Sequence, residues 1–282
     1  MRKLLVLSTM LAAVCMTGIT PVVAADTATH RIVDAGDSTV DVLENGTGPS
    51  IVLLPSTGRG QEDFDHLAEA LAKGGFHVLR PQPRGIGASK GPMTDITYHD
   101  FARDIAAVIR QAGGGPAVIA GHAYGNWIAR VVSTDFPDLV KGVVLVAAGA
   151  KNFPPSLSDE ITTINDESKP EAVRLKALQV AFFAPGHDAR PWLKGWYADV
   201  TKSQRGAGAK TNREFWWAGG KAPMLDLIAG DDPFRPKETI NEIKDSFGSR
   251  ISVKVIANAS HALPDEQPGA VAQSIIEWIK GL

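Results

Sequence analysis

The chain has 282 residues, 44% of them hydrophobic, and a formal charge of −2. That length is enough for one large domain or a domain with an insertion. The near-neutral charge gives no case for nucleic acid or an anionic membrane surface as partner.

Residues 1–25 read as a secretory signal peptide. Arg2 and Lys3 make a basic start. Leu4 to Ile19 is an apolar run broken by Ser8, Thr9, Thr17 and Gly18, and Val23-Ala24-Ala25 offers small residues for cleavage before Asp26. An uncleaved anchor is the alternative, but the run is weak for a membrane span. Cys15 is the only cysteine, and Val14 before it is a poor fit to a lipoprotein box. A cleaved chain would therefore hold no disulfide, thiol nucleophile or cysteine metal site. The expected location is the periplasm or the cell exterior, with no membrane contact after cleavage.

Thr29–Val33 and Thr39–Leu43 read as short strands around the turn cluster Gly36-Asp37-Ser38. Ile51–Leu54 is a continuous apolar run of the buried-strand kind. A loop, Pro55 to Gly60, leads to Phe64, Leu67, Ala68 and Leu71 at helical spacing, and Gly74-Gly75 ends that helix. Phe76–Leu79 is a strand. Tyr98, Phe101, Ile105, Val108 and Ile109 mark a second amphipathic helix, stopped by Gly113-Gly114-Gly115. A strand at Pro116–Ala120, a helix from Asn126 to Phe136 and a strand at Val143–Val146 follow. This alternation argues for a parallel sheet covered on both faces.

The pattern breaks over residues 152–221, which show helix-like stretches, several prolines and no clear strand. Four of the six tryptophans lie there: Trp192, Trp196, Trp216 and Trp217. Alternation returns with a strand at Met224–Ala229, a helix from about Pro236 to Phe247, a strand at Ile251–Ile256 and a last helix lined by Val271, Ile275, Ile279 and Leu282. The expected organisation is a core of residues 26–151 and 222–282 with a helical cap, 152–221, over the sheet.

The stretch with most chemical content is Gly121-His122-Ala123-Tyr124-Gly125. A buried strand, a tight turn and a helix, with glycines two before and two after the central residue, make a nucleophile elbow. The glycines leave room for a strained turn. The turn lifts the central residue to the strand's carboxyl end and leaves the next N–H, that of Tyr124, facing the site. Here the central residue is Ala123 rather than serine. A triad also needs a histidine base and a carboxylate to fix its tautomer. Asp231-Asp232-Pro233 follows one buried strand, and Ser260-His261 follows another. Both fall at the sheet edge where the elbow emerges.

In these pieces, with the Ile51–Leu54 strand, Arg84-Gly85-Ile86-Gly87-Ala88-Ser89 and Asp232 to Pro236, the chain resembles the α/β-hydrolase superfamily in its helical-cap form, over nearly all of the mature sequence. The resemblance implies an α/β-hydrolase fold: a mostly parallel central sheet, helices on both faces and a helical cap insertion. It implies Asp232 as triad acid, with Asp231 the alternative, and His261 as base. The chain departs from the family pattern three times. Ala123 replaces the nucleophile, Pro55-Ser56 replaces the usual His-Gly, and Gln82 replaces an Asp two before Arg84-Gly85. Ser56 or Thr57 can still supply an oxyanion N–H beside that of Tyr124. The cap tryptophans are expected to line the pocket or to pack the cap on the sheet, and His122 to pack or orient.

The Gly85-x-Gly87 stretch does not fit a phosphate loop. The seven histidines show no metal-ligand spacing, and no cofactor or metal is expected. Four explanations fit Ala123: an inactivated Ser→Ala variant, a natural protein without acyl-enzyme chemistry, an enzyme in which His261 activates water or takes a substrate proton, and Ser56 as substitute nucleophile. The expectation is hydrolase-type chemistry on a small, partly apolar ester or lactone, with a non-catalytic small-molecule binding protein as the alternative. Oligomeric state is open.

Overall fold

The computed structural model describes residues 28–282, so the expected signal peptide lies outside the described residues. Eight strands form one sheet: β1 (Thr29–Asp34), β2 (Thr39–Asn45), β3 (Ser50–Leu54), β4 (His77–Pro81), β5 (Ala117–His122), β6 (Val140–Val146), β7 (Met224–Ala229) and β8 (Ile251–Ile256). Their spatial order is β1-β2-β4-β3-β5-β6-β7-β8. β2 runs antiparallel to β1 and β4, and the other pairs are parallel. Every residue of β3, β5 and β7 is buried, which is why these strands are near-continuous apolar runs, interrupted only by Ser50, His122 and Asp226, rather than alternating ones.

Helices α1 (Asp65–Lys73) and α10 (Pro268–Ile279) cover one face of the sheet. Leu67 and Leu71 of α1 and Val271 and Ile275 of α10 are fully buried there against Ile51, Leu53 and Leu227. α2 (Tyr98–Val108), α3 (Tyr124–Asp135) and α8 (Glu242–Phe247) cover the other face. α1 stops at Gly74, and Gly75 takes φ 87°, a left-handed value that only glycine adopts cheaply. α2 begins with the Asp100 carboxylate accepting from Thr97 N at 2.7 Å, half of a capping box.

Between β6 and β7 lie α4 (Ser156–Asn165), α5 (Glu171–Ala181), α6 (Ala198–Ala209) and the short α7 (Arg213–Trp216). The apolar cluster of α4 and α5 includes Ile164, Leu178, Phe182 and Trp192, and it also takes in Phe234 and Ala262 from the loops after β7 and β8. These two helices therefore share one packed interior with the loops that carry Asp232 and His261, whereas Ala207 of α6 and Trp216 of α7 pack in the cluster on the sheet. A clasp adds to this. The Arg59 guanidinium, in the loop after β3, lies 4.3 Å from the Trp192 ring and 4.8 Å from the Trp196 ring, and it pairs with Asp63. Burial pushes the Asp63 carboxyl up to about 6, although Arg59 pulls the other way.

One element differs from expectation. The helix read over Pro236–Phe247 is a 3-10 turn, Lys237–Thr239, followed by α8. Arg235 explains the break. Its guanidinium takes the carbonyls of Thr239 and Ile240, each at 3.0 Å, out of any helical ladder. It also bonds Ala148 O at 3.1 Å and the buried Asp226 carboxylate of β7 at 2.7 Å. Arg235 thus fixes the loop that carries Asp232. Asp226→Ala is expected to leave that guanidinium buried and unpaired and to cost about 3–5 kcal/mol. Urea denaturation monitored by tryptophan fluorescence measures this as a lowered midpoint with an unchanged slope.

Candidate active site

The elbow is built by close approach. A Cβ at Gly121 would collide with the backbone of Gly125 and Asn126, and one at Gly125 would collide with Leu54 O and Pro55 O. Only glycine lets α3 start so close to the ends of β3 and β5. Between them Ala123 is held at φ 46°, ψ −112°, a strained region for a residue with a Cβ. Its N–H donates to Val146 O at 3.0 Å, and its carbonyl accepts from Asn126 N at 3.1 Å and from the Asn126 side chain. The turn keeps the form that presents a serine hydroxyl, although the residue there is alanine.

His261 and Asp232 come together from the loops after β8 and β7. His261 Nδ1 and Asp232 Oδ2 are 2.9 Å apart, and both side chains are buried. An ionised carboxylate only accepts, so Nδ1 carries the proton and Nε2 is left with its lone pair. Asp232 Oδ1 accepts from Phe234 N at 2.8 Å, so both carboxylate oxygens are held. Phe234 stacks on the imidazole with centroids 4.1 Å apart, and Phe182 meets it edge-on at 5.2 Å. Asp231, the alternative acid, is exposed. It meets this loop only through its backbone, with N donating to Ala259 O and O accepting from Ser260 Oγ.

Two further residues hold His261. His122 is fully buried, and its Nε2–H donates to His261 O at 2.6 Å. Burial, and then the nearby His261, pull the His122 pKa down to about 3, so its ring stays neutral. Glu266 accepts from Ser260 N at 2.6 Å and from Ala184 N at 2.7 Å, tying the His261 loop to the segment after α5. Burial raises the Glu266 pKa above the ordinary carboxylate range. Glu266, Phe182 and Phe234 carry no sequence signal for this role, because each acts through a contact set only by the tertiary fold.

A small, solvent-open cavity adjoins these groups. Ser56, Thr57, Ala123, Tyr124 and His261 border its polar end, and Trp127, Phe153, Ile161, Phe182 and Trp196 border its apolar end. The N–H groups of Ser56 and Thr57 make no hydrogen bond among the described residues. Ser56 is buried, and its hydroxyl makes no hydrogen bond to His261. Trp196 is the one cap tryptophan that borders this cavity. Trp192 does not border it, because its ring packs on Arg59. Trp216 and Trp217 do not border it either: Trp217 covers the buried Arg130 at 4.4 Å, and both lie beyond Trp127. Trp127, in α3, is a wall residue that the sequence reading did not single out.

The remaining motif residues have structural partners. Arg84 is buried and donates to both Asp104 oxygens, at 2.6 and 2.8 Å, so its guanidinium is committed to the fold. Gln82 accepts from Gln61 N at 2.9 Å, a turn contact. Among the described residues no cluster of three potential ligands could hold a metal ion, and no helix is long and apolar enough to cross a membrane.

The alpha/beta hydrolase family model matches residues 51–274. The chain is similar to 2-(acetamidomethylene)succinate hydrolase of Mesorhizobium japonicum, 32% identical over 124 residues, 44% of this chain and 44% of that protein. It is also similar to epoxide hydrolase A of Mycobacterium tuberculosis, 29% identical over 135 residues, 45% of this chain and 42% of that one. The chain thus spans less than half the length of these curated relatives. An esterase from Thermogutta terrifontis superposes with a TM-score of 0.73 at 20% identity, covering 90% of this chain and 99% of that one. This last likeness is one of fold.

The buried neutral His122 has a pH consequence. Its folded pKa, about 3, lies below the ordinary value of 6.5, so the unfolded chain takes up a proton that the folded chain refuses. Its contribution to stability is therefore full above about pH 6.5 and is lost as pH falls toward 3. His122→Asn is expected to flatten the pH dependence of unfolding free energy over pH 4–6 by up to about 1.4 kcal/mol per pH unit. Denaturant melts across that range measure the slope.

Proposed function

Because this chain belongs to the alpha/beta hydrolase family, we propose that it hydrolyses a small, partly apolar ester or lactone without a serine nucleophile. In this reading His261 acts as general base on water. One observation carries it: the Asp232–His261 pair is intact, buried and doubly braced, and it stands at a cavity with the Ala123 methyl group where a hydroxyl would be. A spent site would not need both Asp232 oxygens held, nor His122 and Glu266 fixing the base loop.

The steps follow from the tautomer. Nε2 of His261 takes a proton from a water molecule as the water oxygen attacks the substrate carbonyl carbon. Asp232 stabilises the imidazolium that forms. Tyr124 N–H and the N–H of Ser56 or Thr57 receive the oxyanion. When the tetrahedral species collapses, the carbon–oxygen bond to the leaving group breaks, and the Nε2 proton passes to the departing alkoxide. Replacing serine by alanine frees the space of one oxygen atom for the attacking water. The aromatic wall of Trp127, Phe153, Phe182 and Trp196 fits a partly apolar substrate. Export of the chain is part of the proposal, supported by Arg2, Lys3 and the Leu4–Ile19 run.

A second reading has its own support. No hydroxyl is held against His261, and a pocket of this shape without a nucleophile also suits a non-catalytic binding protein. Activity separates the two. With activated esters and lactones, the purified protein is expected to turn over slowly, and His261→Ala to reduce that rate by at least about 10²-fold. In a serine triad, loss of the nucleophile costs about 10⁶ in turnover, and the remaining parts keep about 10³–10⁴ over water. Ala123→Ser is accordingly expected to raise activated-ester hydrolysis by at least about 10²-fold. It should also create a fluorophosphonate adduct, visible by intact-protein mass spectrometry and absent from the unsubstituted chain.

A further inference from the structure

The turn after β3 carries Pro55-Ser56 in place of His-Gly, so its support cannot be taken from the family pattern. Arg59 N donates to Ser56 O at 3.2 Å and closes the turn, with Gly58 in the left-handed region at φ 62°. The N–H groups of Ser56 and Thr57 are left unbonded beside the cavity, as oxyanion donors have to be. Residues 194–204 of the insertion tie this turn down. Gly58 N donates to Gln204 Oε1 at 2.9 Å, Tyr197 N donates to Gly58 O at 2.9 Å, and Arg59 Nη1 donates to Lys194 O at 2.6 Å.

Lys194 and Tyr197 contribute main-chain atoms, so Gln204 is the inserted side chain that grips the backbone of the turn. It lies on α6, is 4% exposed, and reaches Gly58 across 146 positions of sequence. An N–H faces it, which assigns the amide oxygen to that contact. Thr201, on the same helix, closes against the turn as well. A Cβ on Gly58 would fall 2.0 Å from Thr201 Oγ1, so the turn meets α6 this closely only with glycine. The Gly58 N–H belongs to the planar Thr57–Gly58 peptide. Holding that plane leaves the next one, which carries the Thr57 N–H, free to turn only about the Thr57 Cα.

We propose that Gln204 is a positioning residue for the oxyanion hole: by holding the Gly58 N–H, the inserted α6 aims the Ser56 and Thr57 donors at the carbonyl oxygen. The inference rests on the catalytic reading for the presence of a carbonyl at His261. Gln204 does not border the cavity there, so it acts through the turn and not on the substrate. Its effect belongs to turnover rather than to substrate binding, because the oxyanion exists only in the transition state.

Gln204→Met keeps the length of the side chain and leaves only a thioether, a weak acceptor. On an activated ester it is expected to lower kcat by about 10-fold with KM within about two-fold, part of the 10²–10³ that a lost oxyanion donor costs. In an Ala123→Ser background, fluorophosphonate labelling uses the same hole without the water reaction, and its rate should fall by a similar factor. Gln204→Glu, which keeps an oxygen at the same length, should restore both rates to within about three-fold of the parent. Gln204→Asn ends one methylene short of Gly58, should act like Gln204→Met, and replaces it if thermal melts show that variant unfolded. Amide exchange by NMR checks the contact with no substitution: Gly58 should be protected and Thr57 should exchange fast. Equal exchange at the two amides, labelling unaltered by Gln204→Met and Gln204→Asn, equal losses in all three Gln204 variants, or a loss in KM alone would overturn the positioning role. A folded Ala123→Ser chain that takes no label would overturn it too, since no hole would be there to position. Labelling that depends on Gln204, in a protein whose unsubstituted form hydrolyses no ester, would keep the role and remove the water mechanism instead.

Discussion

The left-handed backbone at Ala123 is the constraint on which the site depends. A residue with a Cβ held in this region stores about 1–3 kcal/mol of strain, and it persists only where the surroundings over-determine it. Here they do. Gly121 and Gly125 bring α3 into contact with the carboxyl ends of β3 and β5, and the Ala123 N–H is bound by β6. The strain therefore survives without the hydroxyl it serves in a serine enzyme, and with it survive the direction of the Tyr124 N–H and the floor of the pocket.

The base is braced from several sides, each by a different kind of interaction. Arg235 fixes the Asp232 loop by four bonds to three segments. Glu266 gathers one N–H from the His261 loop and one from the inserted helices. His122, beside the elbow, holds the His261 carbonyl. Phe182 and Phe234 enclose the ring. Because Phe234 and Ala262 are packed within the same apolar cluster as α4 and α5, movement of these helices would disturb the loops of Asp232 and His261 together.

Much of the fold was legible because its signals are local. Buried strands are apolar runs, helix ends are glycines, and the elbow needs glycines at fixed spacing; all eight strands fall where those signals place them. The order of Ala123, Asp232 and His261 was legible for the same reason, since each follows a recognisable strand. What was not legible depends on partners far apart in sequence. The helix expected from Pro236 is broken by the Arg235 side chain, a bond pattern that no periodicity encodes. Trp192 looks like a pocket residue until Arg59, more than a hundred residues earlier, is found against it. The choice between Asp231 and Asp232 turns on which carboxylate points inward, and adjacent acids in a loop give no sign of that.

The central claim is that His261 works on water and that no covalent intermediate forms on the unsubstituted chain. Rapid mixing of the protein with excess 4-nitrophenyl acetate tests this most directly, by following release of 4-nitrophenolate in the first turnover. The account expects release that is linear from the start, abolished to background in His261→Ala, with no added acetyl mass on acid-quenched protein. A burst equal to the protein concentration, with an acetyl group recovered on Ser56 or on another side chain, would contradict it.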